Sequence, residues 1–417
     1  MATPMALQGI RVLDLSRVLA GPWATQMLGD LGAEIIKVEK PGSGDDTRHW
    51  GPPFDPTSGD AAYFQCANRN KRSLALDFAQ PEGAALLREL AGQCDVVVEN
   101  FKPGSLARHG LSPEQLLAAH PRLVVCSISG FGHSGPLRER AGYDFVVQAL
   151  GGLMSITGAP DGEPQKVGVA VTDLFTGLHA AVAILAALRH VDATGEGQHI
   201  DLALFDCQLA MLANQASQYL SGGPEPRRMG NAHPAIAPYE TLACQDGELV
   251  LAVGNDSQFA RLAALLGAPE LAGDARFARN ADRLAHRAQL REALEQRLRT
   301  QPRTHWQVLC DAAGVPATAV QSVAEALQHP QALARGMLEA LHPGQDAQAA
   351  GTRLAVASPL KLSRTPVRTR SAPPLLGAQG PQLLAEFGVN EARIQRLMAS
   401  GVLGRPPGLG MDEGGGG

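Results

Sequence analysis

Residues 10–38 read IRVLDLSRVLAGPWATQMLGDLGAEIIKV, and the alternation inside this stretch decides the fold. Ile10 to Leu15 is an apolar run of strand length, Ala24 to Leu31 is helix-like, and Ala33 to Val38 is a second branched run. Strand, helix and strand in immediate succession form the rhythm of a parallel sheet covered by helices. The ligands of such sheets bind beyond the carboxyl ends of the strands. Ser16 to Pro22 lies at such an end. Its single Gly21 makes no dinucleotide fingerprint, and neither GxGxxG nor GxxxxGK[ST] occurs, so NAD and ATP are poor candidates.

The same rhythm continues outward. The loop GSGDDTRHWGPPFDPTSGD (42–60) is too polar and broken for a regular element, and the cationic stretch NRNKR (68–72) follows it. Arg48, Arg69, Lys71 and Arg72 suit a phosphate or a carboxylate, although a charge cluster is commonly just a solvated face. A helix over Pro81 to Ala91 and a strand over Asp95 to Val98 lead to ENFKPG, which puts Phe101 and Lys102 at another carboxyl end. A strand over Arg122 to Ile128 ends in SGFGHSGP. Residues 141–157, AGYDFVVQALGGLMSIT, read as a helix whose Gly151 and Gly152 mark a close backbone approach.

Next, VGVAVTDLFTGLHAAVAILAALRH (167–190) reads as a short strand, Val167 to Val171, running into a long apolar helix. Leu174, Leu178, Ala181, Leu185 and Leu188 recur there at helical spacing. One acid, Asp173, stands at the joint. A carboxylate at a helix start can simply cap free N–H groups, so position alone does not make it functional. The strand His199 to Phe205, carrying Asp201, and a helical stretch 206–220 complete this part.

A chain of 417 residues exceeds one ordinary core. The expectation is an α/β protein with a large domain from residues 1–221, a linker and small α+β domain at 222–330, a return to the large domain at 331–405, and a tail, 406–417, too glycine-rich to fold. The linker is SGGPEPRRMGNAHP (221–234). The small domain shows a hairpin signal over Pro238 to Val253 around Gln245-Asp246-Gly247, then helices from Ser257 to about Ala313. The remainder reads as a helix near 322–335, a strand-poor run 343–376 and a final helix 380–399. A net charge of -5 with mixed signs forms no basic stripe, which argues against a nucleic-acid partner. The six cysteines are scattered without a CxxC pair, which suggests neither zinc nor a disulfide framework and fits a reducing cytoplasm. No apolar run reaches the roughly 18 residues of a membrane span, so no membrane partner is expected.

Several motifs, in order and over nearly the whole chain, resemble the class III CoA-transferases of the CaiB/BaiF type. They are VLDLSRVLAGP, GAEIIKVEKPGSGDDTR, NRNKRS, VVENFKPG, GYD, TDLFTGLH and TGEGQ. The resemblance implies a Rossmann-like large domain, an interlocked homodimer of ring-shaped chains, and Asp173 as the nucleophile. It implies CoA thioesters and carboxylic acids as substrates and no permanently bound cofactor or metal. Position by position, it puts Val18 and Ala20 beside the nucleophile and Lys40 where an adenosine phosphate is met. Leu76, Asn100, Phe101, Lys102 and Arg108 fall in the next CoA-binding stretch, and Tyr143 matches the active-site Tyr. Without the resemblance, Leu76 and Phe101 would read as core, and Lys40 and Arg108 as surface charges.

Two departures narrow the substrate. The formyl-CoA:oxalate type carries Gln where this chain has Leu19, and a glycine run in the small domain that is absent there in this chain, which disfavours oxalate or formate. RVLAGP, GDDTRxWGPPF, RAGYD and GNAHPxIxPY instead look similar to the succinyl-CoA:glutarate type. A dicarboxylate needs a cation or donor at its far end, and Arg17, Arg48, Arg69 and His233 are the candidates. The rival readings are an α-methylacyl-CoA racemase-like isomerase and a CoA binder without catalysis. The racemases carry a basic His where this chain has Tyr143, and a binder has no need of Asp173.

Overall fold

The computed structural model describes residues 4–341 and 353–407. The chain forms two compact units. One is drawn from the residues up to Leu153, from Val167–Ser217 and from Leu333 onward; the other from Met154–Lys166 and Gln218–Ala332.

The first unit is built on a six-stranded sheet of β1 (Arg11–Asp14), β2 (Glu34–Glu39), β3 (Lys71–Ala75), β4 (Val96–Glu99), β5 (Val124–Ser129) and β6 (Gln198–Ala203). All neighbours run parallel, in the order β3-β2-β1-β4-β5-β6. The central strands are buried along most of their length because helices cover both faces, so they read as continuous apolar runs. One face packs Leu13, Ile36, Leu74 and Val97 against the helix Pro81–Ala91 and the C-terminal helices. The other packs Val12, Ile35, Val96 and Val124 against the helices Ala20–Asp30 and Val171–Thr194. The strand order reverses between β1 and β4, where open α/β sheets leave a crevice beyond their carboxyl ends.

Four expectations are corrected in this unit. Val167 to Ala170 is no strand: the Val167 N–H donates to Gln148 Oε1 at 3.0 Å and the Val171 N–H to Val169 O at 2.8 Å, so these donors serve a side chain and a tight turn. The long helix therefore starts at Val171, and Asp173 lies in its first turn. Of the residues at helical spacing Ala181 and Leu188 are buried but Leu178 is 48% exposed, and Thr176, Gly177, Ala180, Ile184, Ala187 and Val191 complete the buried face. The supposed strand-poor C-terminal run contains β11 (Arg353–Val356), paired antiparallel with β10 (Leu338–Leu341); the residues between these two strands lie outside the described set. The final helix is two, Gly380–Glu386 and Glu391–Ala399, because Asn390 caps a fresh start by accepting the Arg393 N–H. All but the first two residues of the expected tail lie outside the described residues.

The second unit carries an antiparallel sheet of β7 (Tyr239–Cys244), β8 (Gly247–Ala252) and β9 (Ala317–Ala319). The hairpin falls where the Asp-Gly turn signal stands; β9, only three residues long, carried no such signal. Leu242, Leu249, Leu251, Phe259, Leu294 and Trp306 form its core. Arg283 is fully buried there, donating to Ala237 O, Phe277 O and Asp256, with its guanidinium 4.6 Å from the Phe259 ring centroid.

Candidate active site

A cavity of about 350 Å³ opens at the crevice between β1 and β4. Residues Arg17 to Ala20 enter it from the end of β1, Asn100 to Pro103 from β4, Ile128 to Gly130 from β5 and Leu204 from β6. Asp46, Trp50, the segment Glu139 to Tyr143, and Asp173 close its wall. Four strand ends thus converge on a cavity that Asp173 lines.

Asp173 reaches the cavity because two helices approach closely. A Cβ built on Gly177 would stand 2.6 Å from Ala20 O, so only glycine lets the helix Ala20–Asp30 lie this near to the Asp173 helix. A second approach is made by Gly130 and Gly142, each of whose built Cβ would lie 2.6 Å from the other's Cα.

The carboxyl of Asp173 is partly buried. Burial, and then the neighbouring charge of Asp144, push its pKa up to about 7. Asp144 is held by Gln148, whose Nε2 donates to Oδ2 at 2.7 Å. Its other oxygen accepts the Thr172 N–H at 2.9 Å and, more weakly, the Asp173 N–H at 3.4 Å. The capping role that a helix-start acid usually plays therefore belongs to Asp144, which leaves the Asp173 side chain to the cavity. The same bonds engage two early N–H groups of the helix, and the Leu174 N–H donates to Ala170 O at 3.1 Å, so this turn is a poor oxyanion donor. The helix Ala20–Asp30 begins at the same cavity without a side-chain cap.

The opposite wall is tied to the strand ends. Asn100 brackets Arg17, accepting its N–H at 2.8 Å and donating to its carbonyl at 2.7 Å. The Arg17 guanidinium pairs with Asp46 at 3.2 Å and stands 5.3 Å from the Phe101 ring centroid, yet remains about half exposed at 47%. Val18 has φ of +70°, a left-handed conformation strained for a β-branched residue. Its N–H is accepted by Asp45 at 3.2 Å. Burial would raise the Asp45 carboxyl, but the Lys37 ammonium at 2.9 Å overrides it and holds the pKa down to about 2. Lys102 pairs with Glu139 at the rim.

Of the residues singled out in the sequence, Arg17, Val18, Ala20, Asn100, Phe101, Lys102, Tyr143 and Asp173 meet at this cavity. The others stand elsewhere. Leu76 is buried core, while Lys40 and Arg108 are exposed and line no part of the cavity. Arg48 is consumed inside the unit by Glu39 at 2.8 Å and Asp60 at 2.9 Å, and Arg69 by Asp30 at 2.6 Å, because each buried guanidinium needs a carboxylate nearby. Lys71 pairs with Asp14 and Arg72 with Glu34 and Glu386, so the cationic stretch is structural. His233 belongs to the second unit, where its ring packs on Tyr239 at 5.2 Å and its Nδ1 accepts the Ala235 N–H. Sequence reasoning missed Asp144 and Gln148, which orient the Asp173 turn, and Trp50 and Arg140 in the wall. Asp144 and Arg140 were visible in the RAGYD motif and Trp50 in GDDTRxWGPPF; nothing in the pattern marked Gln148.

Comparison with known proteins identifies the family. The model of CoA-transferase family III matches residues 7–380. The chain is 48% identical to the succinate–glutarate CoA-transferase of Agrobacterium fabrum over 91% of this chain and 95% of that one. It is 42% identical to the succinyl-CoA:glutarate CoA-transferase of Mus musculus over 95% and 90%. A crystal structure of a CaiB/BaiF family protein from Brucella suis superposes with a TM-score of 0.82 at 49% identity, covering 92% of this chain and all of that one. With its sequence matched and its fold superposed over most of its length, the chain belongs to CoA-transferase family III.

Proposed function

We propose that this CoA-transferase moves CoA from succinyl-CoA to glutarate or a similar dicarboxylate through an acylated Asp173. The observation that carries this reading is a carboxylate presented to the crevice by a helix start already capped by another acid, Asp144. Exchanging CoA between two carboxylates is nearly thermoneutral, and a covalent carboxylate divides it into acyl transfers of manageable barrier. Ionised Asp173 attacks the succinyl thioester carbonyl, the C–S bond breaks, and a mixed anhydride and CoA thiolate result. The thiolate attacks the anhydride at the Asp173 carbonyl, releasing succinate and leaving an aspartyl-CoA thioester. Glutarate opens that thioester to a second anhydride and thiolate, and thiolate attack at the glutaryl carbonyl yields glutaryl-CoA and free Asp173. No proton is gained or lost overall.

Arg17 is the dicarboxylate-end cation in this reading, since of the four candidates it alone lines the cavity, and Asp46 is a partner that a substrate carboxylate can displace. Lys102, Asn100, Phe101 and Tyr143 stand where the thioester end of CoA would pass. We further propose a homodimer, interlocked as the family resemblance implies, working in the cytoplasm. It is supported by the apolar side chains left exposed on the helices around Asp173: Phe145 at 56%, Leu178 at 48%, Val182 at 59% and Leu209 at 44%. The helix Val171–Thr194 is by length and composition apolar enough to cross a membrane, but half of its most apolar window is buried inside the fold, and a partner chain would cover the rest.

The test mixes the protein with succinyl-CoA and a panel of dicarboxylates, monocarboxylates and oxalate, and follows new thioesters by mass spectrometry. Hydroxylamine should trap acyl adduct on the Asp173 peptide, Asp173→Ala should lose turnover by at least about 1,000-fold, and Arg17→Ala should raise KM for glutarate but not for a monocarboxylate. Turnover by Asp173→Ala at the wild-type rate sinks the reading. Deuterium wash-in at the α-carbon without CoA exchange would favour the isomerase.

A further inference from the structure

The segment Ser16–Pro22, a loop that runs into the first turn of the helix Ala20–Asp30, is held from beneath by two ion pairs that the exchange chemistry does not use. Lys37 and Asp45, and Lys71 and Asp14, are all fully buried in their side chains. Each lysine also grasps one end of the loop: Lys37 Nζ donates to Ser16 O at 3.0 Å, and Lys71 Nζ to Pro22 O at 3.0 Å. Asp14 accepts the Ser16 N–H at 3.0 Å and the Thr25 hydroxyl at 2.7 Å, and it bonds the Ser16 hydroxyl. Asp45 accepts the Val18 N–H, and Asn100 brackets Arg17. Backbone groups of Ser16, Arg17 and Val18 in the loop and of Pro22 in the first helical turn are thus fixed by side chains, and Val18 among them is held at positive φ.

Burying two ammonium–carboxylate pairs is a poor way to gain stability, because desolvation consumes most of the Coulomb energy. A strained backbone persists only where its surroundings over-determine it. The placement of the strain is informative: Val18 lies in the cavity wall with Asp173, immediately before the uncapped start of the helix Ala20–Asp30.

We propose that Asp45 and Lys37, backed by Asp14 and Lys71, are positioning residues that hold Val18 in its left-handed conformation and so set the backbone of Leu19 to Gly21 against the reacting carbonyl at Asp173. They touch no substrate. They act through the loop, and their loss slows acyl transfer while leaving the affinity for CoA thioester largely intact. This deepens the proposed function and rests on it.

The experiment compares wild type, Asp45→Asn, Val18→Gly, the double variant and Val18→Pro. It measures kcat, KM for succinyl-CoA, melting temperature, and the rate at which the Asp173 adduct appears in a single turnover. Asp45→Asn should lower kcat and adduct formation by about 10- to 100-fold, as misplacement on the scale of an ångström does, with KM changed less than about threefold. Adding Val18→Gly should restore a large part of that loss without restoring melting temperature, because glycine takes positive φ unaided. Val18→Pro removes the N–H and forbids positive φ while leaving both ion pairs buried, so it reports even if Asp45→Asn fails to fold; it should lose at least about 100-fold in kcat. Wild-type kcat in Asp45→Asn or Val18→Pro overturns the proposal, as does a folded double variant no faster than Asp45→Asn. Failure of the wild-type enzyme to form adduct would instead overturn the nucleophile assignment.

Discussion

Asp173 and Asp144 divide between them two tasks that a single helix-start acid would have to combine. Asp144 caps the turn, and Asp173, relieved of that work, is raised to a pKa of about 7 by burial first and by Asp144 second. A nucleophilic carboxylate must be ionised, so activity falls as pH drops through that value, and kcat/KM of the free enzyme should show an acid limb near pH 7. Asp144→Asn keeps an oxygen for the Thr172 N–H but removes the like charge. It should therefore move the limb to lower pH, though not to the ordinary carboxylate value, because the larger contribution, burial, remains. A pH–rate profile decides the matter, and an unmoved limb would show that Asp144 exerts no electrostatic effect there. The candidacy of Asp173 was legible from its motif. Its freedom from capping was not, since that depends on Asp144, a residue 29 positions earlier in the chain.

At the scale of elements, the helix Val171–Thr194 teaches the most. Of the residues that recur at helical spacing, Ala181 and Leu188 are buried while Leu178 is exposed, and the buried face also takes in small residues, Thr176, Gly177, Ala180 and Ala187. At Gly177 the reason is distance: the helix Ala20–Asp30 comes so close that no side chain fits there, and this closeness brings Val18 to Ala20 beside Asp173. Gly177→Ala separates two effects of opposite sign. Helix propensity alone would stabilise by about 0.5–1 kcal/mol, whereas the clash with Ala20 O should destabilise by about 1–3 kcal/mol and lower kcat by displacing the loop. Thermal unfolding and turnover measured together test this, and a raised melting temperature would refute the close-approach argument. Elements whose pattern is local, such as the helix Pro81–Ala91, stood where the sequence put them.

For the whole molecule, the exposed apolar side chains around the Asp173 helix are the observation that asks for a partner. If a second copy covers them, Val182→Lys, which places a charge on that face away from the buried stripe, should shift the protein from dimer toward monomer. Sedimentation velocity at micromolar concentration reads the outcome. A monomeric wild type, or a Val182→Lys variant with unchanged mass and stability, would remove the case for this interface.

The sequence by itself determined the α/β class, the strand ends that form the cavity and the family, and it singled out Asp173 as the candidate acid, because each is carried by short-range periodicity or by contiguous motifs. Only the tertiary structure decided which cations are free. Arg17, Arg48 and Arg69 look alike in the chain, yet Arg48 and Arg69 fold onto buried carboxylates while Arg17 keeps half its surface at the cavity. A charged side chain's availability depends on whether burial has forced it to take an internal counter-ion, and that is settled by residues distant in sequence and adjacent in space.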